Sequence, residues 1–153
     1  MKAYVCTLLM AVALLTVIGC SSALAQDKAK WTGTWKMVPE KSQFANGGGP
    51  SSIVIKLELK DGAVTETMTL NGDHSFTATY TTDGKAKSQE VMGNVAETSA
   101  KWNGDALSID FKHEKGGFAR TITLSPDGKT MTIAVHHSGE NGEADETVIL
   151  EKQ

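Results

Sequence analysis

Beyond residue 30 the chain alternates between apolar and polar positions. Ile53, Ile55, Leu57 and Leu59 share one face of an extended segment, and Val54, Lys56, Glu58 and Lys60 share the other. Phe76, Ala78 and Tyr80 oppose Thr77, Thr79 and Thr81, and Leu107, Ile109 and Phe111 oppose Ser108, Asp110 and Lys112. Phe118, Ile122 and Leu124 fall on one face, as do Met131, Ile133 and Val135. A period of two marks strands that turn one face to a core, and no segment carries a helical period of useful length. The alternating runs are separated by Asp61-Gly62, Asn71-Gly72, Asp83-Gly84, Asn103-Gly104, Asp127-Gly128 and Asn141-Gly142. Such pairs tolerate the positive φ that tight hairpins require. The pattern predicts ten strands, at 31–38, 52–60, 63–70, 75–82, 85–92, 95–102, 106–114, 118–125, 129–137 and 145–151. KAKSQEVM is the weakest of them. The expected fold is all-β: an antiparallel up-and-down meander closed into an 8–10-stranded barrel. An even count lets the first and last strands meet antiparallel, and closure removes exposed edges. Residues 39–51 read as a surface loop with one helical turn around Glu40–Phe44. Its glycines lack the Gly-Lys-Ser/Thr of a phosphate loop.

The start of the chain breaks this pattern. After Lys2, the run from Val5 to Ile18 carries no charge, and it is short for the roughly 20 residues of a membrane-spanning helix. It has the length and flanks of a secretory signal. Ala23-Leu24-Ala25 is an A-x-A cleavage site. Val17-Ile18-Gly19-Cys20 offers an alternative, in which Cys20 becomes a lipidated first residue and a membrane anchor. The expected layout is a signal peptide at 1–25, a short extension at 26–30 and a barrel domain at 31–153, secreted or periplasmic. Cys6 and Cys20 are the two cysteines. A barrel cut after Ala25 has no disulfide and must rest on its packed core.

A formal net charge of −3 over 153 residues gives no basic footprint for nucleic acid. A 40% hydrophobic content argues against disorder. The sequence holds no Gly-x-Ser-x-Gly elbow and no H-E-x-x-H, so no catalytic residue is assigned and no cofactor is expected. His136 and His137 are adjacent on a strand and point to opposite faces. His113 and His137 could meet across strands, but two ligands make a weak metal site. Glu140, Glu143, Asp145 and Glu146 lack calcium-loop spacing and read as a solvated turn.

Several polar residues fall on apolar faces: Glu66, Tyr80, His113, Arg120 and His137. An unpaired buried charge is very unfavourable. Two arrangements satisfy this. In one, Arg120 and Tyr80 hold the acidic head group of a ligand in a wet cavity. In the other, Glu66 and Arg120 pair with each other or sit at barrel rims.

Gly33-Thr34-Trp35 ahead of an antiparallel meander resembles the lipocalins and their calycin relatives. In that family the Trp plugs the closed end and packs near a late-strand Arg, and Arg120 is the one Arg here. Thr82-Asp83-Gly84 is similar to the second lipocalin motif without its Tyr. Arg120 falls early for the family, and the C-terminal helix of true lipocalins is absent. Ten strands fit the fatty-acid-binding proteins better, yet Val148-Ile149-Leu150-Glu151 replaces their carboxylate clamp, and 39–51 is short for their two-helix lid. Gly33-Thr34-Trp35-Lys36, Lys41-Ser42, Phe44 and Gly49-Pro50 are also similar to a start shared by small secreted bacterial proteins, which implies no particular chemistry. The calycin resemblance implies noncovalent binding of a small apolar or amphipathic ligand. Trp31, Trp35, Phe76, Tyr80, Phe111 and Phe118 are then lining or plugging candidates, Glu66, His113 and His137 further site candidates, and Arg120 the polar anchor. The alternatives are an envelope structural or interaction module with a filled barrel, and an enzyme of unknown reaction.

Overall fold

The computed structural model describes residues 28–91, 93–140 and 142–153. The leader expected at 1–25, both expected cleavage sites and Cys20 lie outside them. All ten expected strands form: β1 Gly33–Met37, β2 Ile53–Lys60, β3 Ala63–Leu70, β4 His74–Thr81, β5 Lys87–Val91, β6 Asn94–Asn103, β7 Ala106–His113, β8 Gly116–Leu124, β9 Thr130–Gly139 and β10 Gly142–Lys152. They pair in the order β4-β3-β2-β1-β10-β9-β8-β7-β6-β5. The first and last strands meet antiparallel, Trp35 opposite Lys152 and Met37 opposite Leu150, as an even count requires.

Closure is incomplete at one place. Among the described residues no ladder joins β4 to β5, so these two strands keep free edges, contrary to the expectation that closure removes them. The 82–86 connection crosses the breach instead. Gly84 N donates to Ala100 O at 2.8 Å, and Asp83 bridges Lys101 on β6. β5, the weakest segment in the sequence, is also the shorter edge, with five residues.

Two of the Asx-Gly pairs take positive φ at both residues, whereas at Asp83-Gly84, Asn103-Gly104 and Asp127-Gly128 only the glycine does. Asp61 and Asn71 take φ of 50° and 54°, followed by Gly62 and Gly72 at 75° and 85°. Asp61-Gly62 is a two-residue hairpin between Lys60 and Ala63, which such φ values match to the strand twist, whereas Asn71-Gly72 belongs to a three-residue loop between Leu70 and His74. Inward residues of every strand then form one core, with Trp35, Leu107, Met131 and Leu150 fully enclosed. At one end Trp31 and Trp102 meet edge to face at 5.0 Å, and Trp35 Nε1 donates to Trp31 O at 3.0 Å. This end of the barrel is sealed.

The opposite end is covered by 39–50. It forms two short 3-10 turns, Pro39–Lys41 and Ala45–Gly47, rather than the single turn expected around Glu40–Phe44. The strap is tied to β10. Gln43 and Thr147 exchange backbone hydrogen bonds of 2.7 and 2.8 Å, and Ile149 N donates to Ser42 Oγ at 3.0 Å.

Candidate functional site

A buried ion pair crosses the middle of the barrel. Alternation turns Glu66 on β3 and Arg120 on β8 inward, and these strands stand five apart whichever way the barrel is counted. The two side chains therefore reach from opposite walls. Arg120 Nη1 donates to Glu66 Oε1 at 2.9 Å and Nη2 to Oε2 at 2.7 Å, a parallel, two-bond pairing that suits the planar guanidinium. Glu66 is 2% exposed and Arg120 7%, so the pair is withdrawn from water. Tyr80, on β4 next to β3, accepts a longer bond from Arg120 Nη2 at 3.5 Å. Burial raises the Tyr80 pKa above its ordinary value, with the Glu66 charge adding to the rise and Arg120 opposing it. Burial disfavours the Arg120 charge, but the Glu66 carboxylate outweighs it and keeps the guanidinium protonated.

This strut gives Arg120 a counterion from the protein itself. Its terminal nitrogens are already committed to Glu66, and its charge is already balanced. Of the two arrangements open in the sequence, pairing is the one that forms. Nor does Arg120 cover the indole of Trp35. Its guanidinium lies 5.6 Å from the Phe118 ring, and the cation over Trp35 is Lys152, at 5.1 Å.

The strut divides the interior. On the sealed side the barrel is packed with side chains. On the strap side lies a cavity of about 250 Å³. Tyr80 and Arg120 contribute to it from the strut; Ile55, Met68, Phe76, Phe118, Ile133 and Val135 form apolar walls; Phe44, Gly49 and Pro50 come from the strap. A second hollow of about 240 Å³ follows the β4–β5 breach, with Tyr80, Gln89 and Thr98 in its lining. Tyr80 borders both spaces.

The sequence candidates divide accordingly. Phe76, Tyr80, Phe118, Arg120 and His137 line the cavity. Trp31, Trp35, Glu66, Phe111 and His113 do not. The first two belong to the sealed end, Glu66 lies behind Arg120 as its counterion, and Phe111 stacks flat on Phe118 at 4.7 Å from outside the lining. His113 is exposed at the strand end, its ring 5.7 Å from Phe111. His137 sits 6.1 Å from Phe118. The two histidines thus cap opposite ends of a row of four rings and do not meet. Among the described residues no three metal-ligating side chains cluster.

Sequence reasoning missed Phe44, Met68 and Glu146. The expected solvated turn is only partly one. β10 begins at Gly142, so Glu146 is a strand residue that turns inward, half-buried. It ties wall to strap: one carboxylate oxygen lies 3.2 Å from His137 Nε2, and the other accepts from Ala45 N at 3.3 Å. Counting the alternation of Leu150 and Val148 back by one more step, within the strand expected at 145–151, turns Glu146 inward. The neighbouring His136 faces out and lies 2.7 Å from Asp145, a hydrogen bond that pushes its pKa up.

No family model matches the chain, and no curated protein matches it. Solved structures do. Zebrafish ileal bile acid-binding protein complexed with cholic acid aligns at a TM-score of 0.62 and 16% identity, over 81% of this chain and 99% of that one. Fatty-acid-binding protein 1 of Echinococcus granulosus aligns at 0.63 and 10%, over 81% and 98%. The fold shared with them is a ten-stranded, calycin-like β-barrel. A secretory abundant heat soluble protein of Ramazzottius varieornatus has the same fold, at 0.65 and 7% identity over 81% and 96%. At such identities the likeness is one of fold.

Proposed function

We propose that this barrel is a carrier or binder of a small apolar or amphipathic molecule, held noncovalently between the strap and the Glu66–Arg120 strut. The observation that carries the reading is the half-hollow interior. A barrel serving only as a structural module gains by filling its core, because each unfilled space forfeits packing. Here the sealed end is filled and the strap end is not. The cavity of about 250 Å³ lies just under the roughly 300 Å³ at which typical small-molecule sites begin. That favours a short-chain or compact ligand. Aromatic and aliphatic walls with a few convergent polar groups are the usual composition of such sites. The structural neighbours include proteins named for bile acid and fatty acid binding, which agrees with a binding role rather than catalysis. The proposal includes export directed by residues 1–25, with anchoring through Cys20 as the alternative outcome.

Native mass spectrometry of the protein from its own source tests both parts. A co-purifying small molecule, lost on unfolding, is the expected result. A bare chain that also fails to take up an added apolar dye such as Nile red would defeat the binding role. The same spectrum reads the mature N-terminus. A chain beginning at Gln26 fits the signal peptide, a lipidated Cys20 fits the anchor, and an intact Met1 contradicts both.

A further inference from the structure

The cavity floor has no charge to spare. Both terminal nitrogens of Arg120 are held by Glu66, and the pair is shut away from water. A carboxylate brought against it would meet the Glu66 charge together with the guanidinium, and would itself go without a counterion. At the mouth, Glu146 adds another acidic group and already engages His137. Burying an unpaired carboxylate in such a place is strongly unfavourable.

The floor does have donors to spare. The Tyr80 hydroxyl accepts from Arg120 and donates to none of the described residues. Burial holds its proton in place by raising its pKa. Arg120 Nε is buried and has no hydrogen-bond partner. A buried donor without an acceptor is a costly state that a bound acceptor relieves. Tyr80 and Arg120 both border the cavity, so an acceptor entering it arrives beside them.

We propose that the cavity selects uncharged amphiphiles, whose hydroxyl or carbonyl oxygen accepts the Tyr80 O–H, over free carboxylic acids of the same chain length. This rests on the binding role proposed above and names its ligand class. It also assigns Glu66 a purpose in selectivity, since Glu66 cancels the buried positive charge of Arg120 that would attract an acid.

Decanol and decanoate, competing against Nile red for the full chain at a pH where decanoate is ionised, provide the test. Decanol is expected to bind at least about tenfold more tightly, a difference of about 1.4 kcal/mol. Any apolar cavity favours the uncharged molecule to some degree, so two variants decide the matter. Tyr80→Phe keeps the ring and removes the donor; it should weaken decanol about fivefold and leave decanoate unchanged. Glu66→Gln frees the Arg120 charge while keeping an acceptor beside it, and should reverse the order so that decanoate binds better. Decanol binding unmoved by Tyr80→Phe overturns the assigned contact. Decanoate matching decanol in the unaltered protein overturns the selectivity and leaves the binding role standing. Failure of dye, alcohol and acid alike to bind defeats the binding role itself. Should Glu66→Gln not fold, as judged by circular dichroism, the unaltered protein still decides the selectivity and Tyr80→Phe still decides the contact.

Discussion

Arg120 and Glu66 are 54 positions apart in the chain, and each is conspicuous in the sequence for the same reason: a charge where alternation demands an apolar residue. That much is legible. Their pairing is legible as one of two arrangements, but the choice between them is not, because it depends on which strands face each other across a barrel of ten, and a change of one strand would place Arg120 against another wall. The same limit explains Trp35. Its Gly-x-Trp setting points to the sealed end, but the cation over its ring comes from Lys152, at the far end of the chain. Buried pairs have a lopsided energetics that makes the strut testable. Removing one partner strands the other charge and typically costs about 3–5 kcal/mol, whereas replacing both with apolar residues is often neutral. Arg120→Met should therefore destabilise the fold by about that amount in urea unfolding, and adding Glu66→Leu should restore most of the loss. A cost below about 1 kcal/mol for the single change would mean that the pair is solvated.

At the level of elements, the ten strands and their turns are written in the alternation and the Asx-Gly pairs, because both act over a few neighbouring residues. What escapes is set by contacts distant in sequence. The sequence predicts one helical turn in the strap at 39–50; its two 3-10 turns are imposed by β10, whose Thr147 and Ile149 claim Gln43 and Ser42. Phe44 becomes a cavity wall only because that docking fixes it. The β4–β5 breach is only half readable: weak alternation marks β5, whereas β4 alternates as well as its paired neighbours do. A local device does survive at the cavity wall. Gly117 on β8 lies against β7 so closely that an added Cβ would fall on the Phe111 carbonyl oxygen. This approach lets Phe118, the next residue, lie flat on Phe111 with ring planes 1° apart. Gly117→Ala should push the two strands apart at a cost of about 1–3 kcal/mol, the usual range for overpacking. Thermal unfolding should show the loss, and Nile red uptake should fall with it, because Phe118 lines the cavity. An unchanged melting temperature would mean that the strands yield freely here.

The whole molecule is asymmetric along the barrel axis, and this follows from how its largest side chains are distributed. Trp31, Trp35 and Trp102 gather at the sealed end, cross-linked by the Trp31–Trp102 edge contact and the Trp35 Nε1 bond to Trp31 O, with Lys28 over Trp102 at 4.6 Å. The strap end has phenylalanines and no tryptophan, and between the two ends stands the ionic strut. One end thus supplies stability through aromatic burial, which leaves the other free to stay hollow. The division has an optical consequence. No tryptophan lines the cavity, so a ligand entering at the strap should leave the emission maximum of the protein unmoved. Phe118→Trp places an indole on the cavity wall, and its emission should shift when decanol is added. Shifts of the native tryptophans with no response from the new one would locate the ligand at the sealed end, and would require the packed core there to open. The unfolding experiments on the strut gain from the same arrangement, because native emission then reports the integrity of the sealed end without interference from whatever occupies the cavity.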